Sequence, residues 1–279
     1  MIPKKLALIN DISGFGRCSM TVAIPVLSVC GVQPCPVVTS VFSNHMGYPS
    51  HYRKDLTPIL NDYLNEWDHL SLFPDGVLCG YLNRVEQLDI IGQYLMRLKE
   101  KAPDCMITID PVMGDHGKFY HSMTDSYCDC MRKSLYLADL ITPNLTEACF
   151  LAKMPYPDSL PAPSFLSELC EKLHTLGPGK IILTGIHDES SFYNYISVRG
   201  QALSCVSSPI TGTSRPGTGD IFSAIVSSLQ LKERSLDSAV AAAARFLSHC
   251  IKITEESHIP VCEGVLLENA LPYLLQLLN

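Results

Sequence analysis

Arg215-Pro216-Gly217-Thr218-Gly219-Asp220 runs straight into the apolar stretch Ile221-Phe222-Ser223-Ala224-Ile225-Val226. Two glycines around a threonine allow a tight turn that exposes backbone N–H groups, and the apolar run predicts a buried helix. A Gly-x-Gly turn at a helix N-terminus forms an anion site, because unpaired N–H groups and the positive end of the helix dipole point the same way. Asp220 falls in the first helical turn, where an aspartate serves as a cap or as a base. An anion hole beside a carboxylate is what phosphoryl transfer to a hydroxyl requires. A capped helix after a glycine turn fits these residues equally well, so the rest of the chain must decide.

Other polar clusters follow short apolar runs. They are Asn10-Asp11-Ile12-Ser13-Gly14-Phe15-Gly16-Arg17, Phe42-Ser43-Asn44-His45-Met46-Gly47-Tyr48, Gly80-Tyr81-Leu82, Asp110-Pro111-Val112-Met113-Gly114-Asp115, Thr142-Pro143-Asn144-Leu145-Thr146-Glu147 and Thr184-Gly185. In open α/β sheets ligands bind beyond the carboxyl ends of the strands, so each cluster is a candidate strand-end loop. Gly14-Phe15-Gly16 is not a dinucleotide fingerprint. Ser19 stands at the third glycine position, and no acidic residue ends the second strand to hold a ribose. The chain also has no Gly-x-x-x-x-Gly-Lys-Ser/Thr, which excludes a P-loop nucleotidase.

The elements that must carry these clusters alternate from the start. Apolar runs predict strands at Leu6 to Asn10, Pro36 to Val41, 76 to 79, Met106 to Ile109, Leu140 to Pro143 and Lys180 to Thr184. Helical patterns cover about 18 to 30, 55 to 67 and 84 to 101, with a helix before each later strand. Phe192 to Val198 and Gln201 to Val206 flank Arg199-Gly200, a predicted two-residue hairpin turn. Three helices follow at about 217 to 231, 235 to 254 and 263 to 278, the second alanine-rich and suited to close packing. This alternation predicts a three-layer α/β/α sandwich around a mainly parallel sheet. The short Pro155 to Pro163 stretch is the one linker-like segment, and residues 1–279 read as a single domain.

Composition narrows the partners. The chain has 279 residues, 47% hydrophobic, with net charge −7, which argues against a nucleic-acid binder while allowing a local basic pocket. Its twelve cysteines are scattered without a Cys-x-x-Cys pair, and several lie in apolar runs, as buried thiols in a reducing compartment do. Met1 to Lys5 leads into a five-residue apolar strand and not a signal-peptide core. No apolar run is long enough to span a bilayer, so a cytoplasmic location without membrane contact is expected.

Phe42-Ser43-Asn44-His45 with Gly47-Tyr48, Gly80-Tyr81, Asp110-Pro111-Val112-Met113-Gly114, Thr142-Pro143-Asn144 with Glu147, and Gly217-Thr218-Gly219-Asp220 occur in a recognisable order and spacing. Over nearly its whole length the chain resembles the pyridoxal kinases of the ribokinase-like superfamily. The resemblance implies ATP-dependent phosphorylation of the 5′-hydroxymethyl group of pyridoxal, pyridoxine or pyridoxamine, the vitamin B6 salvage reaction. It implies Asp220 as the base, with Gly217, Thr218 and Gly219 turning N–H groups toward the transferred phosphoryl. A helix N-terminus is expected to hold Asp220 below the usual carboxylate range, which a loose transition state with late proton transfer tolerates.

Asn144, Thr184, Gly185 and Thr213 are expected along the nucleotide, with Glu147 and Asp110 at Mg²⁺, Asp110 through water. His45 and Tyr81 are expected to hold the pyridine ring, beside Asn10 and Asp11. A monovalent cation such as K⁺ near the glycine turn and a homodimer are also implied. The first loop departs from the pattern, with Asn10-Asp11 in place of Ser-His, and Met46 stands where a threonine is common. Asn10 can donate to or accept from a ring nitrogen or hydroxyl, whereas an ionised Asp11 only accepts and favours a protonated ring nitrogen or an amine. Two alternatives stay open. Hydroxymethylpyrimidine kinases of the same fold carry a first loop that Asp11-Ile12-Ser13-Gly14 resembles. A catalytically silent ligand-binding homologue is the other, and the intact Asp220 and Glu147 speak against it.

Overall fold

The computed structural model describes residues 2–121 and 123–278. Its strands are β1 (Lys4–Phe15), β2 (Val32–Asn44), β3 (Arg53–Asp55), β4 (Gly76–Cys79), β5 (Met106–Ile109), β6 (Gly114–Asp115), β7 (Lys118–Phe119), β8 (Leu140–Ile141), β9 (Lys180–His187), β10 (Ser191–Val198) and β11 (Ser204–Pro209). The helices are α1 (Met20–Val29), α2 (Thr57–His69), α3 (Val85–Lys101), α4 (Asp125–Ser134), α5 (Leu145–Ala152), α6 (Pro163–His174), α7 (Thr218–Leu231), α8 (Leu236–Glu256) and α9 (Leu267–Leu278). One sheet runs in the order β11-β10-β9-β8-β5-β4-β1-β2-β3. The run from β9 to β2 is parallel, while β3, β10 and β11 add antiparallel edges.

The unbroken apolar strands follow from burial on both faces, as a parallel sheet between helix layers requires. Successive side chains point to opposite faces. Ala7 and Ile9 join one core with Leu60, Leu95, Met131 and Leu169 from the helices between α2 and α6. Leu6 and Leu8 join the other with Val26, Ile225, Val240 and Leu274 from α1, α7, α8 and α9. Ala239, Ala243 and Ala244 on α8 are buried, so α8 packs closely, with Ala224 of α7 in the same layer. All twelve cysteines are free thiols, most of them buried. No described helix is long and apolar enough to cross a membrane.

Three local expectations are corrected. β1 and β2 do not stop at Asn10 and Val41 but continue through their polar clusters, pairing as far as Phe15 with Asn44. Backbone hydrogen bonds to a partner strand extend the ladder whatever the side chains are. Within it the register shifts between Asn10 and Ile12, so Asp11 alone faces Thr39 and Ser40. Such an irregularity re-aims side chains beside a site. The β10–β11 turn is longer than two residues, since pairing starts at Ile196 with Ser204 and residues 199–203 connect the strands. The last helix begins at Leu267 and not at 263, because a 3₁₀ turn at Val261–Glu263 precedes it.

Candidate active site

Asp220 lies in the first turn of α7, and two residues distant in sequence hold its carboxylate. Asn10 Nδ2 donates to Oδ1 at 3.0 Å, and the Ser19 backbone N–H donates to Oδ2 at 2.8 Å. Ser19 caps α1 at φ 53°, a conformation that costs a non-glycine residue energy. The hydrogen bond to Asp220 offsets that cost, and it brings the N-termini of α1 and α7 to one carboxylate. Burial pushes Asp220 above the usual carboxylate range, although both donors pull the other way. The expected lowering by the helix end is thereby reversed, because desolvation outweighs the dipole at this depth.

The two glycines of the turn differ. Gly217 has φ 82°, and a Cβ there would lie 2.1 Å from the Arg17 carbonyl oxygen. Gly219 faces open space, and a Cβ there would meet nothing within 4 Å. Gly217 is therefore glycine for the fold, whereas at Gly219 the space beside the backbone is open to the cavity. Thr218 Oγ1 donates to the Arg215 carbonyl at 3.0 Å and closes the turn.

A cavity of about 700 Å³ opens over this turn. It gathers Asp11, His45, Tyr81, Asp110, Asn144, Glu147, Thr184, Gly185 and Gly217 to Asp220. Asn10 and Thr213 are not among its lining residues. Asn10 lies behind Asp220, with its Oδ1 accepting from the backbone N–H groups of Asp11 and Tyr81 at 2.9 and 3.0 Å. Thr213 gives its N–H to Glu255 Oε1 at 2.9 Å. His45 lines the cavity, but both ring nitrogens are engaged. Nδ1 accepts from the Gly47 N–H at 3.0 Å, which leaves Nε2 as the donor to the Cys262 carbonyl at 2.6 Å. His45 thus offers a ligand its ring surface and not a nitrogen. Tyr81 packs edge-on against Phe42 and presents its ring to the cavity.

The acidic residues share a buried, negative environment. Burial, reinforced by the charge of Asp220, pushes Asp11 up to about 7. Asp110 is raised by burial first and by Asp220 second, while Ser223 Oγ donates to its Oδ2 at 2.9 Å. Glu147 is raised well above its usual range, again by burial first and then by Asp110. Glu147 also completes a capping box. Asn144 Oδ1 accepts from the Glu147 N–H, and Glu147 Oε2 accepts from the Asn144 N–H, both at 2.9 Å. Its Oε1 accepts from Met113 N–H at 3.0 Å, and Asn144 Nδ2 donates to the Gly114 carbonyl at 2.8 Å. The cap and the acidic site are one structure.

Ser19, Ser223 and the wall formed by Tyr193, Leu247 and Ser248 complete the cavity, and no motif assigns any of them a part in it. Ser223 had a signal, since it sits one turn beyond Asp220 on the same helix. Ser19 contributes only its backbone, which no side-chain pattern announces.

A mainly parallel sheet under helices on both faces, with a buried carboxylate at a glycine turn beyond the strand ends, defines a phosphotransferase of the ribokinase-like fold, acting on an alcohol group. A profile of the phosphomethylpyrimidine kinase family matches residues 24–263, and the chain belongs to that family. Among its relatives is the pyridoxal kinase PdxY of Corynebacterium diphtheriae, 26% identical over 248 residues that cover 86% of each chain. A Bacteroides thetaiotaomicron protein, provisionally named a phosphomethylpyrimidine kinase and solved with pyridoxal, superposes with a TM-score of 0.92. It is 35% identical, with 98% of this chain and 96% of that one covered. The pyridoxal kinase of Leishmania donovani, in complex with ADP and pyridoxamine, has the same fold, with a TM-score of 0.87 at 23% identity over 97% and 95% of the two chains.

The two glycines separate fold from ligand binding. Gly217→Ala is expected to destabilise the protein by about 2 kcal/mol or more through backbone strain and the clash with Arg17. Gly219→Ala is expected to melt no lower than the parent yet lose affinity for phosphate-bearing ligands. Thermal melting beside a nucleotide titration reads both, and equal melting losses would refute the distinction. Asp11 gives a pH test. Its folded value of about 7 lies above its ordinary 3.8, so the associated stability is present below about pH 4 and is lost as pH rises through 7. Asp11→Asn is therefore expected to raise the melting temperature more at about pH 8 than at about pH 5, and an equal gain at both would remove Asp11 from the buried acidic set.

Proposed function

We propose that this chain is an ATP-dependent kinase that phosphorylates the 5′-hydroxyl of a B6 vitamer, working as one catalytic domain. The observation that carries the reading is the buried Asp220 carboxylate beside the open face of Gly219, in one cavity with Asp110 and Glu147. The pyridoxal and the ADP held by proteins of this fold support a vitamer and a nucleotide as the two substrates.

In this mechanism Asp220 accepts the proton of the vitamer hydroxyl as its oxygen bonds to the γ-phosphorus and the bond to the β-phosphate oxygen breaks. A carboxylate raised by burial is better matched to accepting a proton near neutrality than an ordinary aspartate. Asn10 and Ser19 hold Asp220 in one orientation, so Asn10 acts as a positioning residue. The N–H groups of the Gly217–Gly219 turn face the charge on the phosphoryl group. Tyr81 and the ring surface of His45 pack against the vitamer, while Asp11 meets its polar edge. Asn144, Thr184 and Gly185 border the nucleotide side of the cavity.

The fold family implies Mg²⁺, and the residues present fit it as a water-bridged ion. Backbone N–H groups of Met113, Asn144 and Gly114 donate to Glu147, and Ser223 and Thr142 bond Asp110; a carboxylate has about four acceptor positions, so both retain acceptor capacity. Among the described residues no group of three His, Cys, Asp or Glu side chains is placed to hold a metal directly. Mg²⁺ usually keeps several waters and takes one or two carboxylates with substrate phosphates. Glu147 and Asp110 would hold it there, and it would neutralise charge on the phosphates.

Asp220→Asn is expected to lower turnover by about 10²-fold or more, with the fold retained. A variant keeping over about a tenth of parental turnover would end the base role. Phosphorylation of pyridoxal, pyridoxamine, pyridoxine and hydroxymethylpyrimidine, measured side by side, tests the substrate. The family profile keeps the pyrimidine as the second reading, and its faster phosphorylation would replace the vitamer. No transfer to any of the four would leave a silent homologue. The homodimer belongs to the same proposal, supported by the exposed side chains of Val41 on β2 and of Tyr52, the residue before β3. Light scattering is expected to give twice the chain mass of 30.7 kDa, and the single-chain mass would refute it.

A further inference from the structure

Arg215, immediately before the glycine turn, is buried, its side chain 3% exposed. The segment after α8 turns three backbone carbonyls toward it. Nη1 lies 3.0 Å from the Ile259 oxygen, 3.2 Å from that of Pro260 and 3.4 Å from that of Gly264. Nη2 lies 3.3 Å from Glu255 Oε1, which also accepts from the Thr213 N–H. Further ties hold the same segment. Arg17 N donates to the Glu263 carbonyl at 3.2 Å, and His45 Nε2 donates to that of Cys262.

Carbonyl oxygens converging on one centre, with a carboxylate beside them, are the donor set that replaces the hydration shell of a monovalent cation. The superfamily resemblance implies such an ion near this turn. The residues do not fit a free one, because the guanidinium of Arg215 fills the space among the oxygens and carries the charge that they attract. A guanidinium keeps that charge across the physiological pH range.

We infer that Arg215 is a built-in cation, which takes the place of the monovalent ion behind the phosphoryl-binding turn and makes turnover independent of K⁺ or Na⁺. It acts as a positioning residue. Its guanidinium gathers the Ile259, Pro260 and Gly264 carbonyls, and its own carbonyl accepts from Thr218 Oγ1, so the charge is fixed one residue from Pro216. The inference rests on the kinase reading for its kinetic arm only.

The test uses the full chain in KCl, NaCl and tetramethylammonium chloride at equal ionic strength. Parental turnover is expected to agree within about twofold across the three salts, and the parental melting temperature is expected to be the same in each. Arg215→Ala is expected to melt lower in tetramethylammonium and to recover by about 3 °C or more in KCl, as the freed oxygens take up the ion. Arg215→Lys keeps a positive charge and is expected to remain indifferent to K⁺, which a purely structural role for the guanidinium would not require. Parental turnover rising more than about tenfold with K⁺ would overturn the inference, as would a folded Arg215→Ala variant whose melting ignores K⁺. Should Arg215→Ala not fold, K⁺ activation of Arg215→Lys would overturn it and indifference would uphold it. Absent turnover in every salt would sink the kinase reading, while the melting comparison would still decide the role of Arg215.

Discussion

Everything at this site depends on stabilising one carboxylate away from water. Asp220 is buried, and a buried charge is costly unless it is hydrogen-bonded. Its two donors come from the end of the first apolar stretch and the cap of the first helix, some two hundred residues away. That pairing fixes how α1 and α7 meet, and it explains why β1 must carry an asparagine where a strand interior would ordinarily be apolar. The strained backbone at Ser19 has the same origin, since the chain must present an N–H and not a side chain at that point.

The architecture was legible in the sequence, and so were the polar strand-end clusters that one cavity gathers, because both are written in side-chain types. Apolar runs marked the parallel strands, and polar clusters marked their carboxyl ends. What it could not convey was how far each strand ran. Pairing of β1 with β2 through Phe15 and Asn44 is a backbone matter, and the register shift at Asp11 depends on the partner strand. Orientation was equally hidden. Asn10 and His45 look like ligand contacts from their types, yet Asn10 points to Asp220 and His45 uses both nitrogens on the chain itself. Arg215 stood beside the most informative motif, but its meaning depends on carbonyls some forty to fifty residues further on.

Glu147 shows that a capping residue and a site residue need not be alternatives. The capping box with Asn144 holds the start of α5, and the same two residues line the cavity opposite the glycine turn. A helix end supplies donors to a carboxylate, and the same carboxylate lines the cavity. Loss of either residue would therefore disturb the start of α5 and the cavity wall together.

The acidic cluster also bears on how a cationic ligand would enter. Asp11 and Asp110 are raised by burial and by the charge of Asp220, and Glu147 by burial and by Asp110, so each holds its proton to a higher pH than a bulk carboxylate does. A cationic ligand arriving there favours their ionised forms, so its binding is linked to proton release. The heat measured for loading the site is then expected to change with the ionisation enthalpy of the buffer that takes up what is released.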